Sequence, residues 1–423
     1  MQVSKSAAAP SFPASMLFMF GALLNQTSVI FGVNLSLADL LAVLLLFFAA
    51  LHGFLYVPKY VTLFFLIITL VTVTVGVFIT PMKLSFPVDP MSVTVDYIKL
   101  LTSFAYVVLG ATLVRYQRFA LILRGFAIVA VAIGFVAVVD MAVPGILPIE
   151  PMYYAGVRFR GLLNDPNYFA VLQIAAIAII WRDKQLRPMV RFASFGIIAV
   201  SVLASGSKTG LIVMLALIAW HLFLFIFGGQ NSTRSVARVM IFGFLLAVLA
   251  TLIAFVGSKT LMLGLVARME TNPALARLAP LLTDFATGID ANGSGRGGAW
   301  EGALALINNS PFFGVGVGTY LDAGEILTGE QVLAHNTFLQ LAAEWGLPLA
   351  AFFFFLVLIV LIKRPAQDAS RLWETNRDVL LVLLVGSVGI SLNNARLFWL
   401  VLGAVVAAYF YQEDTAELRV DSA

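Results

Sequence analysis

The stretch FALILRGFAIVAVAIGFVAVVDMA (119–142) decides the fold class. After Arg124 it carries no charge until Asp140. A helix rises 1.5 Å per residue, so about 20 apolar residues cross a hydrocarbon core about 30 Å thick. In lipid only helices and closed barrels satisfy the backbone, and a barrel strand would be about ten alternating residues. This run is continuous instead, so it is predicted to be a membrane-spanning helix.

The same signature recurs on both sides of it. About 12 windows of roughly 17–22 apolar residues fit the spanning length. They lie near 15–33, 36–54, 60–80, 95–115, 119–142, 167–181, 189–206, 209–228, 237–258, 345–362, 378–394 and 396–411. Composition agrees: of 423 residues, 61% are hydrophobic and 11% charged, with mean hydropathy +0.98. Soluble domains are about 45–50% apolar and about 25% charged. A soluble enzyme, a secreted disulfide scaffold and a nucleic-acid binder are thereby excluded. The chain has no cysteine, so disulfides, thiolate metal sites and a cysteine nucleophile are excluded too. Met1–Pro13 is mildly polar and leads straight into the first apolar run, so no cleavable signal peptide is expected.

Orientation follows from the basic residues beside the spans. Lys59, Arg115, Arg118, Arg182, Lys184, Arg187, Arg191, Arg234, Arg238, Lys363, Arg364, Arg371 and Arg377 follow even-numbered windows. Those connections are predicted to be cytoplasmic, with both termini on the same side. The positive-inside bias leaves Arg158, Arg160, Lys208, Arg296 and Arg396 unexplained, and all of them fall on the outward face. One outward connection, 259–344, is far longer than the rest. It contains amphipathic segments at 273–285 and 297–307 around a glycine-rich stretch at 287–298. A third, at 334–346, is expected to run directly into span ten. The chain is read as one integral membrane domain, 1–423, with 259–344 as an outward cap.

Chemistry concentrates in this outward set. His52 and His221 sit at span ends among apolar neighbours. His335, followed by Asn336, opens a helix at the membrane boundary, where a neutral imidazole can take a proton. The same position suits a polar cap on that helix, and the residues alone leave both open. Guanidinium groups bind phosphate oxygens in a bidentate fork, so Arg158 and Arg160 (VRFRG, 157–161) and Arg296 (SGRGG, 294–298) suggest an anionic ligand. Pairing with Asp165, Asp284 or Asp290 is the alternative. Lys208 in SGSKTG (205–210) lies in a very short link at the membrane surface, where it could reach a phosphate or snorkel. Segment 259–344 holds eight acidic and four basic residues, so any phosphate site must be local. GVGVGT (314–319) lacks the GxxxxGK[ST] pattern of a nucleotide loop. No motif argues for a metal or another cofactor.

RFRGLLNDPNYFA (158–170), SGSKTG (205–210), SGRGGAWEGALALINNSPFFGVGVGTY (294–320) and HNTFLQLAAEWGLP (335–348) together resemble the O-antigen ligase and polymerase superfamily. The His335-Asn336 pair, followed by nine residues and then Gly346, is similar to the ligase histidine motif. One departure is Lys208, where the superfamily commonly has arginine. The resemblance implies an all-α, GT-C-like glycosyltransferase of the bacterial inner membrane with a periplasmic active site. It implies a metal-independent, inverting transfer of O-antigen from undecaprenyl diphosphate to lipid A–core, with no cofactor and no nucleic-acid partner. His335 would then be the base. Arg160 and Arg296, followed by Arg158 and Lys208, would meet the diphosphate, and Asn336 would support the histidine or cap its helix. An O-antigen polymerase and a protein O-oligosaccharyltransferase share the donor logic. A transporter would instead favour charges within the spans.

Overall fold

The computed structural model describes residues 12–30, 33–227, 259–280, 296–362 and 370–420. It is 74% helical, which fits an all-α membrane protein. Lys59–Leu84, Pro90–Arg115, Phe119–Ala142 and Lys208–Ile226 are long and apolar enough to cross a membrane by length and composition. Shorter apolar helices include Leu37–Leu51, Pro166–Arg182, Pro188–Ala204 and Leu347–Ile362. Window 237–258 lies outside the described residues.

Helix starts follow local chemistry. Ser36 and Asp39 form a reciprocal capping box on Leu37–Leu51. Asp89 and Asp165 cap helices that begin with Pro90 and Pro166, residues whose fixed φ suits a first turn. Packing then relies on reciprocal backbone approaches. A Cβ on Gly110 would lie 2.0 Å from Leu400 O, and one on Gly403 would lie 2.0 Å from Val107 O. Helices Pro90–Arg115 and Arg396–Val420 therefore cross where glycine faces glycine. Gly21 and Gly125 repeat the device between Ala14–Leu23 and Phe119–Ala142. Small residues at such crossings let dispersion act over a long interface in lipid.

At one end of the bundle a charged clamp joins three helices. Arg182 donates from Nε to Asp378 Oδ2 at 2.7 Å and from Nη1 to Glu374 Oε2 at 2.8 Å. Trp220 Nε1 donates to Asp378 Oδ1 at 3.1 Å. Helices Pro166–Arg182, Lys208–Phe227 and Ser370–Gly386 are tied there, away from the end described next.

The structure corrects several boundaries, and the corrections share a cause. The first window was expected to be helical to 33. The helix is Ala14–Leu23, and the chain then forms an antiparallel hairpin, Ser28–Ile30 with Val33–Leu35. Asn25 stops it, donating from Nδ2 to Phe126 O at 3.0 Å. The window at 378–394 is helical only to Gly386, and 387–395 is irregular. The expected helix at 273–285 is seen as Pro273–Ala276, with 281–285 outside the described residues. The expected unbroken helix into span ten is two helices, Thr337–Trp345 and Leu347–Ile362, parted at Gly346 with φ +84°. Polar side chains and glycines cut helices that apolar averages run together.

GVGVGT (314–319) is a buttress. Val317 N donates to Thr72 O at 3.1 Å, and Thr80 Oγ1 donates to Val315 O at 2.9 Å. The segment thus lies against the π-helical turn Val75–Ile79.

These crossings give a direct test. Gly403→Val should destroy the folded, monodisperse protein in detergent, because the clash is with backbone. Gly196→Ala, whose Cβ meets nothing within 4 Å, should leave the thermal midpoint unchanged or slightly higher. Comparable melting of both variants would show that the close approach does not matter.

Candidate functional site

At the end opposite the charged clamp, helix termini and the long connection enclose a cavity of about 450 Å³. Arg158, Lys208, Arg277, Arg296, Arg396 and His335 all line it. These residues come from distant parts of the chain, and different local devices aim each one.

Arg158 sits in a short hairpin, Tyr153–Tyr154 paired with Arg158–Phe159. It donates from Nε to Ser205 O at 2.9 Å and from Nη2 to Asn167 Oδ1 at 2.8 Å. Ser207 Oγ donates to the same Asn167 oxygen at 3.0 Å, so the 205–208 turn and the Pro166 helix share one anchor. Gly206 makes that turn with φ +57°, and a Cβ there would lie 2.7 Å from Ala274 O. The close contact brings the Pro273–Ala276 segment, and Arg277 after it, against the turn. Lys208 follows, with only 7% of its surface exposed. Arg296 donates from Nη2 to Thr209 Oγ1 at 2.9 Å. Arg158 and Arg296 are thus each oriented in part by neutral oxygens.

The cost of that arrangement is visible at Arg158. Burial, then the nearby charge of Arg277 and also of Arg296, pushes its guanidinium down to about 10, with Asp165 opposing. It is still charged at neutral pH. Arg277 Nε is buried with no hydrogen-bond partner among the described residues. A bound anion would relieve both.

Arg396 is different. Its Nη2 donates to Asp39 Oδ2 at 2.8 Å and its Nε to Asp39 Oδ1 at 3.1 Å. Tyr106 Oη also donates to Asp39, at 2.8 Å. This guanidinium is therefore neutralised and structural.

His335 is exposed, with φ +48° in the left-handed region. Non-glycine residues held there cost free energy and gather at functional sites. Its ring makes no hydrogen bond with the described residues. Asn336 accepts at Oδ1 from Leu339 N at 3.1 Å and so caps helix Thr337–Trp345. Thr337 fastens that helix to the irregular 387–395 loop. Its N donates to Ser387 O at 2.8 Å and its Oγ1 to Ile390 O at 3.0 Å, and Leu392 N donates back to Oγ1 at 2.8 Å.

The structure brings Arg158, Lys208, Arg296 and His335 together as sequence reasoning grouped them. Arg160 does not line the cavity. It donates to Asn164 O and Pro151 O, both at 3.3 Å, behind the hairpin. Sequence reasoning missed Arg277, which sits in an ordinary amphipathic pattern and enters only through the Gly206 contact. Among the described residues no group of three His, Asp or Glu side chains is placed to hold a metal ion.

The fold and cavity define a multi-pass helical membrane protein with a cationic chamber at one end. A family model described as O-antigen ligase matches residues 193–354. Over those residues the chain is similar to the O-antigen ligase family, and that similarity points to membrane glycosyl transfer of the ligase and polymerase type. A comparison with curated proteins gives no match. The matched stretch includes Lys208, Arg277, Arg296 and His335; Arg158 and Arg396 reach the same chamber from outside it.

Four cationic side chains lining one cavity predict a response to anions. Inorganic pyrophosphate should raise the thermal midpoint of the solubilised protein, and added salt should diminish the rise. Arg277→Gln should melt at the same temperature or higher and lose at least half of that rise. An unchanged response would show that Arg277 does not meet anions.

Proposed function

We propose that the protein transfers O-antigen polysaccharide from undecaprenyl diphosphate to lipid A–core at the periplasmic face of the bacterial inner membrane. The observation that carries this reading is a strained His335, its ring without a hydrogen bond among the described residues, lining one cavity with Arg158, Lys208, Arg277 and Arg296. Segment 259–344 caps the site, supplying Arg277, Arg296 and His335.

The chemistry follows from placement. A hydroxyl oxygen of the acceptor attacks the anomeric carbon of the donor sugar, and His335 takes the hydroxyl proton. The bond from that carbon to the diphosphate oxygen breaks, with inversion. Undecaprenyl diphosphate leaves with the bonding pair. Negative charge builds on the leaving oxygen, where Arg158, Lys208, Arg277 and Arg296 stabilise it in a chamber of reduced dielectric. These cations take the part that a metal ion takes elsewhere. Positioned base catalysis is worth about 10²–10⁴-fold. Arg160, tied to backbone carbonyls behind the hairpin, holds the loop that carries Arg158, and Asn336 fixes the helix that follows His335.

The reading is tested with purified protein, lipid-linked O-antigen and rough lipopolysaccharide. Laddered lipopolysaccharide should form with EDTA present at the same rate as without it. His335→Gln should melt like the wild type and lose transfer about 100-fold or more; substantial transfer by this variant would end the base assignment. Longer diphosphate-linked chains without laddered lipopolysaccharide would select a polymerase.

A separate comparison weighs the arginines. Arg296→Ala should lower transfer more than tenfold, and lysine should restore only part because the fork is lost. Arg160→Ala should act mainly through stability, lowering the thermal midpoint more than the rate per folded molecule. The reverse ranking would place the diphosphate on the Arg160 side.

A further inference from the structure

The cavity lining divides by chemistry. Arg158, Lys208, Arg277 and Arg296 are cationic, whereas Asn34, Asn164, Ser391 and Asn394 are neutral amides and a hydroxyl. The neutral part is built on the Asp39–Arg396 pair. Arg396 Nη2 also donates to Asn34 O, and its Nη1 donates to Asn394 O at 3.5 Å. Asn164 Nδ2 donates to Asn34 Oδ1 at 2.8 Å. The nearest cation here is thus cancelled by a carboxylate, and this part of the chamber does not compete for a diphosphate.

Its hydrogen-bonding capacity is left open. Ser391 Oγ is buried with no partner among the described residues, and the Asn394 side-chain amide likewise makes no hydrogen bond there. A buried polar atom is normally satisfied, so Ser391 Oγ has hydrogen-bonding capacity to offer a ligand. The position is also fixed relative to His335. Thr337, two residues on, bonds to Ile390 O and Leu392 N, the neighbours of Ser391 on either side. Amides both donate and accept, as sugar hydroxyls do.

We propose that Ser391 and Asn394, supported by Asn34 and Asn164, form a subsite for the hydroxyl groups of the acceptor sugar. The proposal rests on the reading of His335 as the base, because the hydroxyl that it deprotonates must lie beside it. The chamber is then partitioned, with diphosphate on the side lined by Arg158, Lys208, Arg277 and Arg296 and sugar on the neutral amides. A site built around hydroxyls discriminates strongly against ligands that lack them, so this part selects the acceptor.

The test uses the full-length protein in detergent, without donor, and core oligosaccharide released from rough lipopolysaccharide as probe. The Ser391→Ala/Asn394→Ala double variant should bind it at least tenfold more weakly than wild type, and Ser391→Ala alone at least threefold more weakly. The rise in thermal midpoint caused by pyrophosphate should be unchanged in both, and pyrophosphate should not displace the oligosaccharide. Equal binding by variants and wild type, no binding by wild type, or displacement by pyrophosphate would each overturn the proposal. Transfer by His335→Gln alongside weak oligosaccharide binding by the double variant would instead remove the base assignment and leave the subsite standing.

Discussion

Like charges held close together in a partly dry chamber are the constraint on which this structure turns. Arg158, Lys208, Arg277 and Arg296 repel one another where water screens poorly. Burial first, and then repulsion from Arg277 and Arg296, displaces Arg158 toward its neutral form. A bundle end left to relax would let these side chains swing out into water. Here hydrogen bonds to Ser205 O and Asn167 Oδ1 orient Arg158, and one to Thr209 Oγ1 orients Arg296.

The remaining architecture supplies the stiffness this needs. Glycine-to-glycine crossings lock helix pairs along their length, and the Arg182–Asp378–Trp220 clamp closes the far end. The cavity end is then free to be irregular. The irregular 387–395 stretch lines the cavity through Gly389, Ile390, Ser391 and Asn394. The strained His335 backbone is held by the Asn336 cap after it and by Thr337 on the 387–395 loop.

One ion pair in the chamber is exempt from the repulsion, and the exemption divides the site. Arg396 is cancelled by Asp39, which also accepts from Tyr106 and caps a helix. Its role is to fix Asn34 and Asn394 by their carbonyls. Arg396 is therefore part of the scaffold. Charge count alone would have placed it among the anion ligands.

The sequence by itself determined the class of fold. Long apolar runs admit only helices in lipid, and caps such as Asp89-Pro90 and Asp165-Pro166 mark helix starts without reference to anything distant. It also marked Arg158, Lys208 and Arg296, together with Arg160 and Arg396, as basic residues that the positive-inside bias does not explain, and His335 as a titratable side chain at a helix start. Tertiary structure alone decided the rest. Arg277 enters the chamber through the Gly206–Ala274 contact, Arg160 leaves it through carbonyls of its own loop, and Arg396 is neutralised by a residue 357 positions away. The irregular 387–395 wall was invisible because its apolar average matches a span. Whether a buried charge is a ligand or a scaffold depends on which oxygen it meets, and that partner is set by packing between distant segments.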